Sequence, residues 1–463
     1  MNGKAMERKV ETILQRFADY FCTIRFEDLP AQVVQKAKLL TIDLMGVSIA
    51  GLKMDFPRMT IDYLSGLRGV EEATLLGAKG RVPAIHAALG NGVCGHALDM
   101  DDGYRFGGVH SGVAVIPAAL AFSEAARADG RAFLLSVIMG YEIVNRLSKA
   151  MNPSHLGRGF HTTGTIGVFG AAAACGMLAG LSRDAMASAM GMAGLQGAGL
   201  LEILNDGAMV KPIHPGKAGM AGILSVELAK RGAKGPVTVL EGQKGLFKAM
   251  ADEVSTDELF SNLGEQFLIS DQYIKLYAAC RHIHPAMDGL LSVMNAKKLK
   301  FSDVESVDIA TYPVAISFCG SREMPETAEA AKFSLAYSIA MAAYFGDAGE
   351  DRYVQSVVSN EDIRRLAARV SSRRDAKWEA AYPRQRGATV AIRSGKGDVH
   401  TVEVPLAKGE PENPASDEDI VAKFRKNASG QDASVIEAML NVMLSLERRP
   451  MSDLTDVMTR IHA

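Results

Sequence analysis

The sequence predicts a mostly helical protein with a smaller α+β unit in its C-terminal half. Apolar residues recur at helical spacing through most of the first 267 positions, as amphipathic helices require. Three segments between residues 304 and 404 alternate apolar and polar residues, which is the pattern of half-buried strands. Because 463 residues exceed what one simple core accommodates, we expect two domains.

Helices are predicted throughout the first part of the chain, each bounded by Gly, Pro or Asn. They cover residues 10–21, 30–51, 83–91, 115–128, 132–151, 164–181 and 182–204. We expect Asn91 and Gly92 to stop the third of them. The segment 164–181 is rich in Ala and Gly rather than in Leu, Ile or Phe, so it is predicted as a helix buried on all sides and not as a membrane span. Ala, Gly and Met on these helices indicate closely packed surfaces, and a homodimer is expected because such surfaces often continue across a subunit boundary.

The pattern changes near residue 268. Strands are predicted at 304–312, 388–393 and 399–404, and the last two form a hairpin around the turn residues 394–398. Helical stretches at 326–345 and 361–370 lie between the strands. After Pro414 the pattern is helical again, with Ser416 and Asp419 spaced as a capping box.

Composition and charge exclude several classes of partner. The net charge is −2 and 22% of residues are charged, so the overall count offers no cationic surface for nucleic acid. Five cysteines are scattered without a CxxC pair, which favours a reduced compartment. The N-terminal stretch MNGKAMERKVETILQRF lacks the apolar run of a secretory signal. We therefore expect a cytoplasmic protein that binds neither nucleic acid nor membranes.

A short glycine-rich segment before the helix predicted at 115–128 crowds three carboxylates with two imidazoles. These residues are His96, Asp99, Asp101, Asp102 and His110. Like charges this close repel, so at least one carboxyl should have a raised pKa, which makes a side chain a proton carrier near neutral pH. The alternative is a solvated turn whose aspartates cap neighbouring helices.

Three further clusters combine cations with histidines. They are Arg158 with His161; Lys211 and Lys217 with His214; and Lys275, Cys280, Arg281, His282 and His284. Each cluster alone is equally explained as solvated surface or as a core histidine. Together, in a two-domain protein, they predict a cleft for a small polyanion. His161 directly precedes the buried helix, whose free N–H groups favour anion binding or proton transfer there.

Metal and nucleotide sites are not predicted. The aspartates could bind a hard cation and His282 with His284 could contribute to a zinc site, but the spacings match no zincin or EF-hand pattern. The glycines of residues 194–199 follow no strand, so they do not form a dinucleotide fingerprint. There is no Walker motif and no GxSxG elbow, and Cys280 as a nucleophile has no support from its neighbours.

Taken together, the motifs resemble the MmgE/PrpD family, which includes 2-methylcitrate dehydratases, cis-aconitate decarboxylases and iminodisuccinate epimerases. The matching text is GHALDMDD with His110, RGFHTTGTIGVFGAAAA, KPIHPGKAGMAG, GPVTVLEGQKGLF, IKLYAACRHIH, PETAEAAKFSLAYSIA and KGEPENPASDEDIVAKFR. The resemblance covers nearly the whole chain. It implies a homodimer without metal or organic cofactor. Each chain would have a large helical domain, residues 1–267 with 405–463, and an inserted α+β lid, residues 268–404.

The resemblance also implies the site residues. The catalytic positions fall on Asp99, His110, His161, Lys211 and Lys275. Substrate contacts are expected from Asp102, Arg158, His214, Cys280, Arg281, His282 and His284. In this scheme Lys211, Lys275 and Arg281 clamp substrate carboxylates, His161 is the leading base or acid, and His110, tuned by Asp99, is its partner.

The chain departs from the family pattern near the expected pocket. DMDDG stands where related members usually read DFDDT, so a hydroxyl is lost at Gly103. Ser111 replaces the proline that usually follows the histidine, Tyr104 and Arg105 lie in a slightly longer segment, and YPxC has become YAAC. These changes bear on which substrate is accepted.

The expected reaction removes a proton next to a carboxylate, followed by loss of a β-substituent or by reprotonation. We expect a 2-methylcitrate dehydratase-like hydro-lyase that acts on a di- or tricarboxylate, on the breadth of the family alone. The alternatives are an iminodisuccinate-type epimerase and a cis-aconitate-type decarboxylase, and the DMDDG segment disfavours the decarboxylase most. A non-catalytic dimeric carboxylate-binding protein is the alternative of another class.

Overall fold

The computed structural model describes residues 11–67, 69–204 and 208–463. It confirms a mostly helical protein with a smaller α+β part. Val10, which starts the predicted opening helix, and most of the charged N-terminal stretch lie outside the described residues. Within them, no helix combines the length and apolarity needed to cross a membrane.

The first part of the chain is an array of helices. They are α1 Ile13–Thr23, α2 Ala31–Gly51, α3 Asp55–Gly66, α4 Ala84–His96, α5 Gly112–Ala126, α6 Gly130–Met151, α7 Ser154–Gly157, α8 Thr162–Leu178, α9 Arg183–Gly194, α10 Ile213–Lys230 and α11 Leu246–Met250. Two short strands, β1 Ala73–Thr74 and β2 Arg81–Val82, pair antiparallel before α4. As predicted, α8 is apolar on every side, and its residues from Thr162 to Gly176 are all buried.

The α+β unit contains a four-stranded mixed sheet and its covering helices. The strands are β3 Val304–Thr311, β4 Val370–Arg374, β5 Ala388–Ser394 and β6 Val399–Val404, in the order β4-β3-β5-β6. The helices are α12 His284–Lys297, α13 Pro313–Cys319, α14 Ala328–Ala331, α15 Leu335–Phe345, α16 Gln355–Val358, α17 Glu361–Ala367 and α18 Ala376–Ala381. The predicted hairpin is confirmed, because β5 and β6 pair antiparallel. The chain ends with α19 Asp417–Asn427, α20 Ala433–Leu444 and α21 Met451–Met458, and Ser416 with Asp419 forms the predicted capping box at α19.

The predicted stop at Asn91 and Gly92 is wrong, because α4 continues to His96. Asn91 does not cap the helix: its side chain accepts from the Leu76 amide and donates to the Thr74 carbonyl. Gly92 serves close packing, since a β-carbon there would lie 2.7 Å from the Cα of Gly216 on α10. The extra turn carries His96 to the centre of the molecule.

Other predicted boundaries also differ, and three of these differences change the assigned elements. The helix expected at 182–204 ends at Gly194. The loop that follows packs against α8 at Gly197, where a β-carbon would lie only 2.5 Å from the Thr165 carbonyl oxygen. The helix expected at 326–345 is broken into α14 and α15. The helix predicted at 361–370 stops before residue 370, where strand β4 begins. The sequence of β4, VSSRR, is too polar to show an alternating apolar pattern. This strand pairs parallel with β3 at the edge of the sheet.

The described residues form two main hydrophobic cores. One collects buried residues between 14 and 274 together with those between 420 and 461. The other collects residues between 278 and 392, joined by Val47, Ala50, Leu98 and Met100 from the helical part. The predicted division at 267/268 and 404/405 stays a proposal, and the cores favour a first boundary after Ile274, because Leu268, Ile269 and Ile274 pack in the helical core. The segment after α4 runs between the two cores.

Candidate active site

The acidic segment after α4 has an unusual backbone at Asp99. Its φ is 50°, a left-handed conformation that side-chain-bearing residues adopt rarely and that is common at functional sites. Gly103 exchanges two backbone hydrogen bonds with Tyr273, at 3.1 and 2.9 Å. This bridge brings the start of the α+β unit, including Lys275, alongside the aspartate.

Asp99 lies between two lysines that are far apart in the sequence. Its carboxylate forms an ion pair with Lys211 and another with Lys275 at 2.8 Å, and Lys275 also donates to the Asp99 carbonyl at 2.6 Å. Lys275 is 1% exposed. Although burial alone would raise the pKa of Asp99, the two ammonium groups hold it well below its usual range. The carboxylate thus fixes both cations.

Four imidazoles gather beside this ion-pair cluster. The ring centroids of His96 and His110 are 4.9 Å apart, and those of His96 and His161 are 5.8 Å apart and stacked. Nδ1 of His161 lies 2.8 Å from Nδ1 of His214, so these two rings share one proton. Burial lowers the pKa of His161 well below its usual range, and it lowers the pKa of His96 and His214 to about 4. These three rings are therefore neutral near pH 7.

The histidines are oriented by Asp101 and not, as predicted for His110, by Asp99. Asp101 lies 2.9 Å from Nδ1 of His96 and 3.3 Å from Nδ1 of His110, and the Nδ1 of His110 also donates to the Asp102 carbonyl at 2.8 Å. Although burial would raise the pKa of Asp101, these imidazoles hold it well below its usual range. Asp99 is occupied by lysines, which is why it cannot take that role.

Asp102 is the carboxyl with the raised pKa that crowding predicts. It is 1% exposed and lies beside the Tyr141 hydroxyl. Burial, reinforced by the charges of Asp101 and Asp43, raises its pKa well above the usual range. Its side chain is enclosed behind the segment, so it supports the fold of the loop.

Within the described residues, one group has the donor atoms for a metal ion. His96, Asp101 and His110 each offer a donor, all within 4.8 Å of one another. The observed geometry is that of hydrogen-bonded imidazoles, because both Nδ1 atoms face one carboxylate and that of His110 also donates to a carbonyl. The expectation of a metal-free and cofactor-free site stays a prediction.

A cavity of about 760 Å³ opens from these residues between the helical part and the α+β unit. His96, Asp99 and Lys211 line its inner end, and Lys332 and Phe333 line it from the break between α14 and α15. Sequence analysis named His96 and Asp101 in the acidic cluster but gave them no role in the site, and it missed Lys332 and Phe333. The signals were present, since His96 lies three residues before Asp99 and Lys332 lies in a segment that matches the family.

Some predicted substrate contacts are held elsewhere. Arg158 has a side chain that is 41% exposed and pairs with Asp252, so it points away from the cluster. Arg281 is buried, bonds Glu410 at 2.9 Å and stacks over the Tyr273 ring. Nδ1 of His284 accepts from Arg281 at 3.0 Å, and its Nε2 donates to the Ala279 carbonyl at 3.1 Å.

Cys280 and His282 lie near the cluster but have internal partners. The charges of Asp99 and Lys275 act on both side chains. His282 bonds the Tyr312 hydroxyl at 2.5 Å, and the Cys280 thiol bonds Cys319, which lowers the pKa of Cys280. Like Lys275, His110 and His161, neither lines the cavity itself, but unlike those residues neither contacts Asp99, Asp101 or another imidazole of the cluster.

The missing side chain at Gly103 has a direct structural counterpart. A β-carbon there would lie 2.3 Å from the hydroxyl oxygen of Tyr273. The phenol therefore occupies the space that a threonine would need. Tyr273 thus places a phenolic hydroxyl beside the loop at this position.

Comparison with known proteins identifies the family of the chain. The family model of the MmgE/PrpD N-terminal domain matches residues 15–258, and that of the C-terminal domain matches residues 277–445. Cis-aconitate decarboxylase of Aspergillus terreus is 26% identical, over 93% of this chain and 92% of that protein. A cis-aconitate decarboxylase-like protein of Aspergillus oryzae is 24% identical over 94% of each chain. Human cis-aconitate decarboxylase is 25% identical, over 95% of this chain and 92% of that protein. The chain belongs to the MmgE/PrpD family.

Proposed function

We propose that this protein is a cofactor-independent lyase that decarboxylates a small tricarboxylate of the cis-aconitate type. The observation that carries the proposal is the ion-pair cluster of Asp99, Lys211 and Lys275, placed beside neutral imidazoles at the end of a cavity. Such a site binds carboxylates and also supplies groups that exchange protons. The relatives with full-length similarity carry the name of this reaction.

The chemistry of the reaction matches the residues present. In a cis-aconitate-type acid, the electrons of the breaking C–C bond form a new double bond as carbon dioxide leaves. The old double bond shifts its electrons to the carbon beside a remaining carboxylate, and that carbon takes up one proton. The site must therefore stabilise negative charge next to a carboxylate and deliver a proton to carbon.

We assign these tasks to Asp99, Lys211 and His96, which line the cavity, and to the residues that contact them. Lys211 and Lys275, fixed by Asp99, hold carboxylates and stabilise the developing charge. His161 delivers the proton: its Nδ1 is engaged by His214, and its ring stacks on that of His96, which lines the cavity. His110 assists this proton transfer. His110 and His96 both contact the carboxylate of Asp101.

Dehydration of a 2-methylcitrate-like acid, which sequence analysis preferred, now ranks second. Its support was the breadth of the family alone, whereas the relatives that match end to end are decarboxylases and a decarboxylase-like protein. Epimerisation would use the same basic groups without loss of carbon dioxide. A non-catalytic binding protein is least supported, because binding alone does not require four clustered imidazoles.

We also propose that the protein is a cytoplasmic homodimer. Along α10, the exposed side chains of Ile213, Leu224 and Leu228 fall on one face, and each is about 40% exposed. Exposed apolar residues in the preceding segment, among them Leu200 and Val210, extend this surface. A second copy that docks there would remove it from water. All five cysteines are free thiols, which supports a reducing compartment.

The proposed reaction is tested by incubating the purified protein with cis-aconitate and 2-methylcitrate in deuterated buffer. Decarboxylation releases carbon dioxide and leaves one deuterium on carbon. Elimination of water creates a double bond without carbon dioxide, and epimerisation exchanges deuterium without net conversion. Carbon dioxide from neither acid, with new double-bond absorbance from 2-methylcitrate, would contradict the proposal.

A further inference from the structure

A third lysine faces the cavity beside the Asp99 cluster. Lys332 is 2% exposed and lines the cavity from the α+β unit. Its ammonium group donates to the Ala97 carbonyl at 3.1 Å, and among the described residues it has no ion pair with a carboxylate. A buried cation without a carboxylate partner is costly, so its position calls for a ligand.

The backbone holds Lys332 firmly in place. The residue lies in the break between α14 and α15, where its carbonyl accepts from the Cys280 amide at 2.9 Å. Ser334 caps α15 by accepting from the Tyr337 amide at 3.3 Å. Because both flanks are fixed, the side chain is aimed across the cavity toward the helical part.

The charges around Lys332 are unbalanced. Lys332 interacts electrostatically with Lys211, Lys275, Glu329 and Asp99, but neither carboxylate forms an ion pair with it, and that of Asp99 contacts the other two lysines. The nearby charge of Asp101 is directed at two imidazoles. Burial lowers the pKa of Lys332, because its ammonium loses water without gaining a carboxylate. A carboxylate of the ligand would supply the ion pair that Lys332 lacks.

We propose that Lys332 binds a third carboxylate of the substrate and thereby makes the site selective for tricarboxylates over dicarboxylates. This inference rests on the proposed function, since it concerns the same cavity. Lys211 and Lys275 hold the ligand from the helical side and from the start of the α+β unit. The Lys332 side chain reaches from the α14–α15 break to the Ala97 carbonyl, two residues before Asp99, so its ammonium group adds a third cation at the Asp99 end of the cavity.

A purely structural role for Lys332 makes a different prediction. Glu329 is the acidic residue with the largest favourable electrostatic effect on it, one turn earlier in the same segment. If Lys332 served only to offset that charge, its loss would weaken binding of every carboxylate equally or only lower stability. Selectivity between two acids separates the two roles.

The test compares two acids with the same five-carbon chain by titration calorimetry. Propane-1,2,3-tricarboxylate carries the middle carboxylate, glutarate lacks it, and neither has the double bond needed for turnover. We expect the wild-type protein to bind the tricarboxylate about 10-fold to 100-fold more tightly. Lys332→Met should abolish this preference while glutarate affinity stays within about twofold, and Lys332→Arg should retain most of it.

Lys396→Met is the matched control, because Lys396 is exposed in the turn between β5 and β6. It should preserve both affinities, and circular dichroism checks the fold of each variant. Equal or undetectable binding of both acids by the wild-type protein would overturn the inference, as would a full preference in Lys332→Met. Because calorimetry needs no turnover, this outcome is independent of whether carbon dioxide is released in the activity assay.

Discussion

At the scale of single residues, the site depends on groups whose ionisation is set by burial. His96 is enclosed, with Nδ1 bonded to Asp101, and burial lowers its pKa to about 4. Asp99 and Asp101 stay ionised because lysines and imidazoles contact them. The same segment thus contains neutral bases and fixed anions side by side, which the spacing of the sequence could not distinguish.

The neutral state of His96 predicts a loss of stability in mild acid. Unfolding returns its pKa to about 6.5, so below that pH the unfolded chain binds more protons and stability falls as pH falls. Between pH 6.5 and 5 this residue should account for about 1.5 kcal/mol of the decrease in unfolding free energy. His96→Asn can keep a donor to Asp101 but does not titrate. Between pH 6.5 and 5, the free energy of urea unfolding should fall by about 1.5 kcal/mol less in the variant than in the wild type. The same pH dependence in both proteins would contradict the assignment.

The cluster at Asp99 predicts strong coupling between its members. Lys275→Met leaves a buried carboxylate short of one cation and should cost about 3 kcal/mol of unfolding free energy. Adding Asp99→Asn to that variant should cost less than Asp99→Asn costs in the wild type, because one of the two cations paired with Asp99 is already gone. A double-mutant cycle by urea unfolding measures this. Additive losses would mean that the two side chains do not interact in solution.

At the scale of elements, close helix contacts position the site. On α10, a β-carbon at Gly216 would lie 2.4 Å from the Leu89 carbonyl oxygen of α4. Gly216→Ala should therefore force the two helices apart and destabilise the protein by about 2 kcal/mol. Gly66→Ala is the control, because a β-carbon at that end of α3 meets nothing within 4 Å. Thermal unfolding that shows equal effects for both would contradict the packing argument.

The sequence predicted the helices that bury an apolar face or a whole circumference, such as α8, and the β5–β6 hairpin. It failed where tertiary contacts decide. Asn91 and Gly92 read as a helix stop, yet the asparagine bonds a neighbouring segment and the glycine admits α10. Strand β4 has too many polar residues for alternation to reveal it.

At the scale of the whole molecule, distant segments meet at one cavity. Sequence motifs identified Asp99, His110, His161, Lys211 and Lys275, and these residues do gather. The partners within the group were not predictable, because the pairing of Asp99 with lysines and of Asp101 with histidines depends on backbone geometry. Arg158, Arg281 and His284 also lie in sequence clusters of cations and histidines. In the structure, ion pairs and hydrogen bonds hold them away from the Asp99 cluster.

The proposed dimer is a property of the same scale. Leu224→Glu places a charge in the apolar surface along α10 and should convert a dimer to monomers in sedimentation velocity experiments. Leu444→Glu is the control, since Leu444 has a similar exposure of 39% on α20. A wild-type monomer, or a dimer unchanged by Leu224→Glu, would contradict this interface.

The most direct test of the account counts deuterium per carbon dioxide released from cis-aconitate. In deuterated buffer the wild-type protein should incorporate one deuterium on carbon for each carbon dioxide, as followed by NMR. His161→Asn should reduce the rate by about 100-fold or more while still binding propane-1,2,3-tricarboxylate. Full activity in that variant, or no carbon dioxide from the wild type, would contradict the claim that these histidines and lysines form one acid–base site.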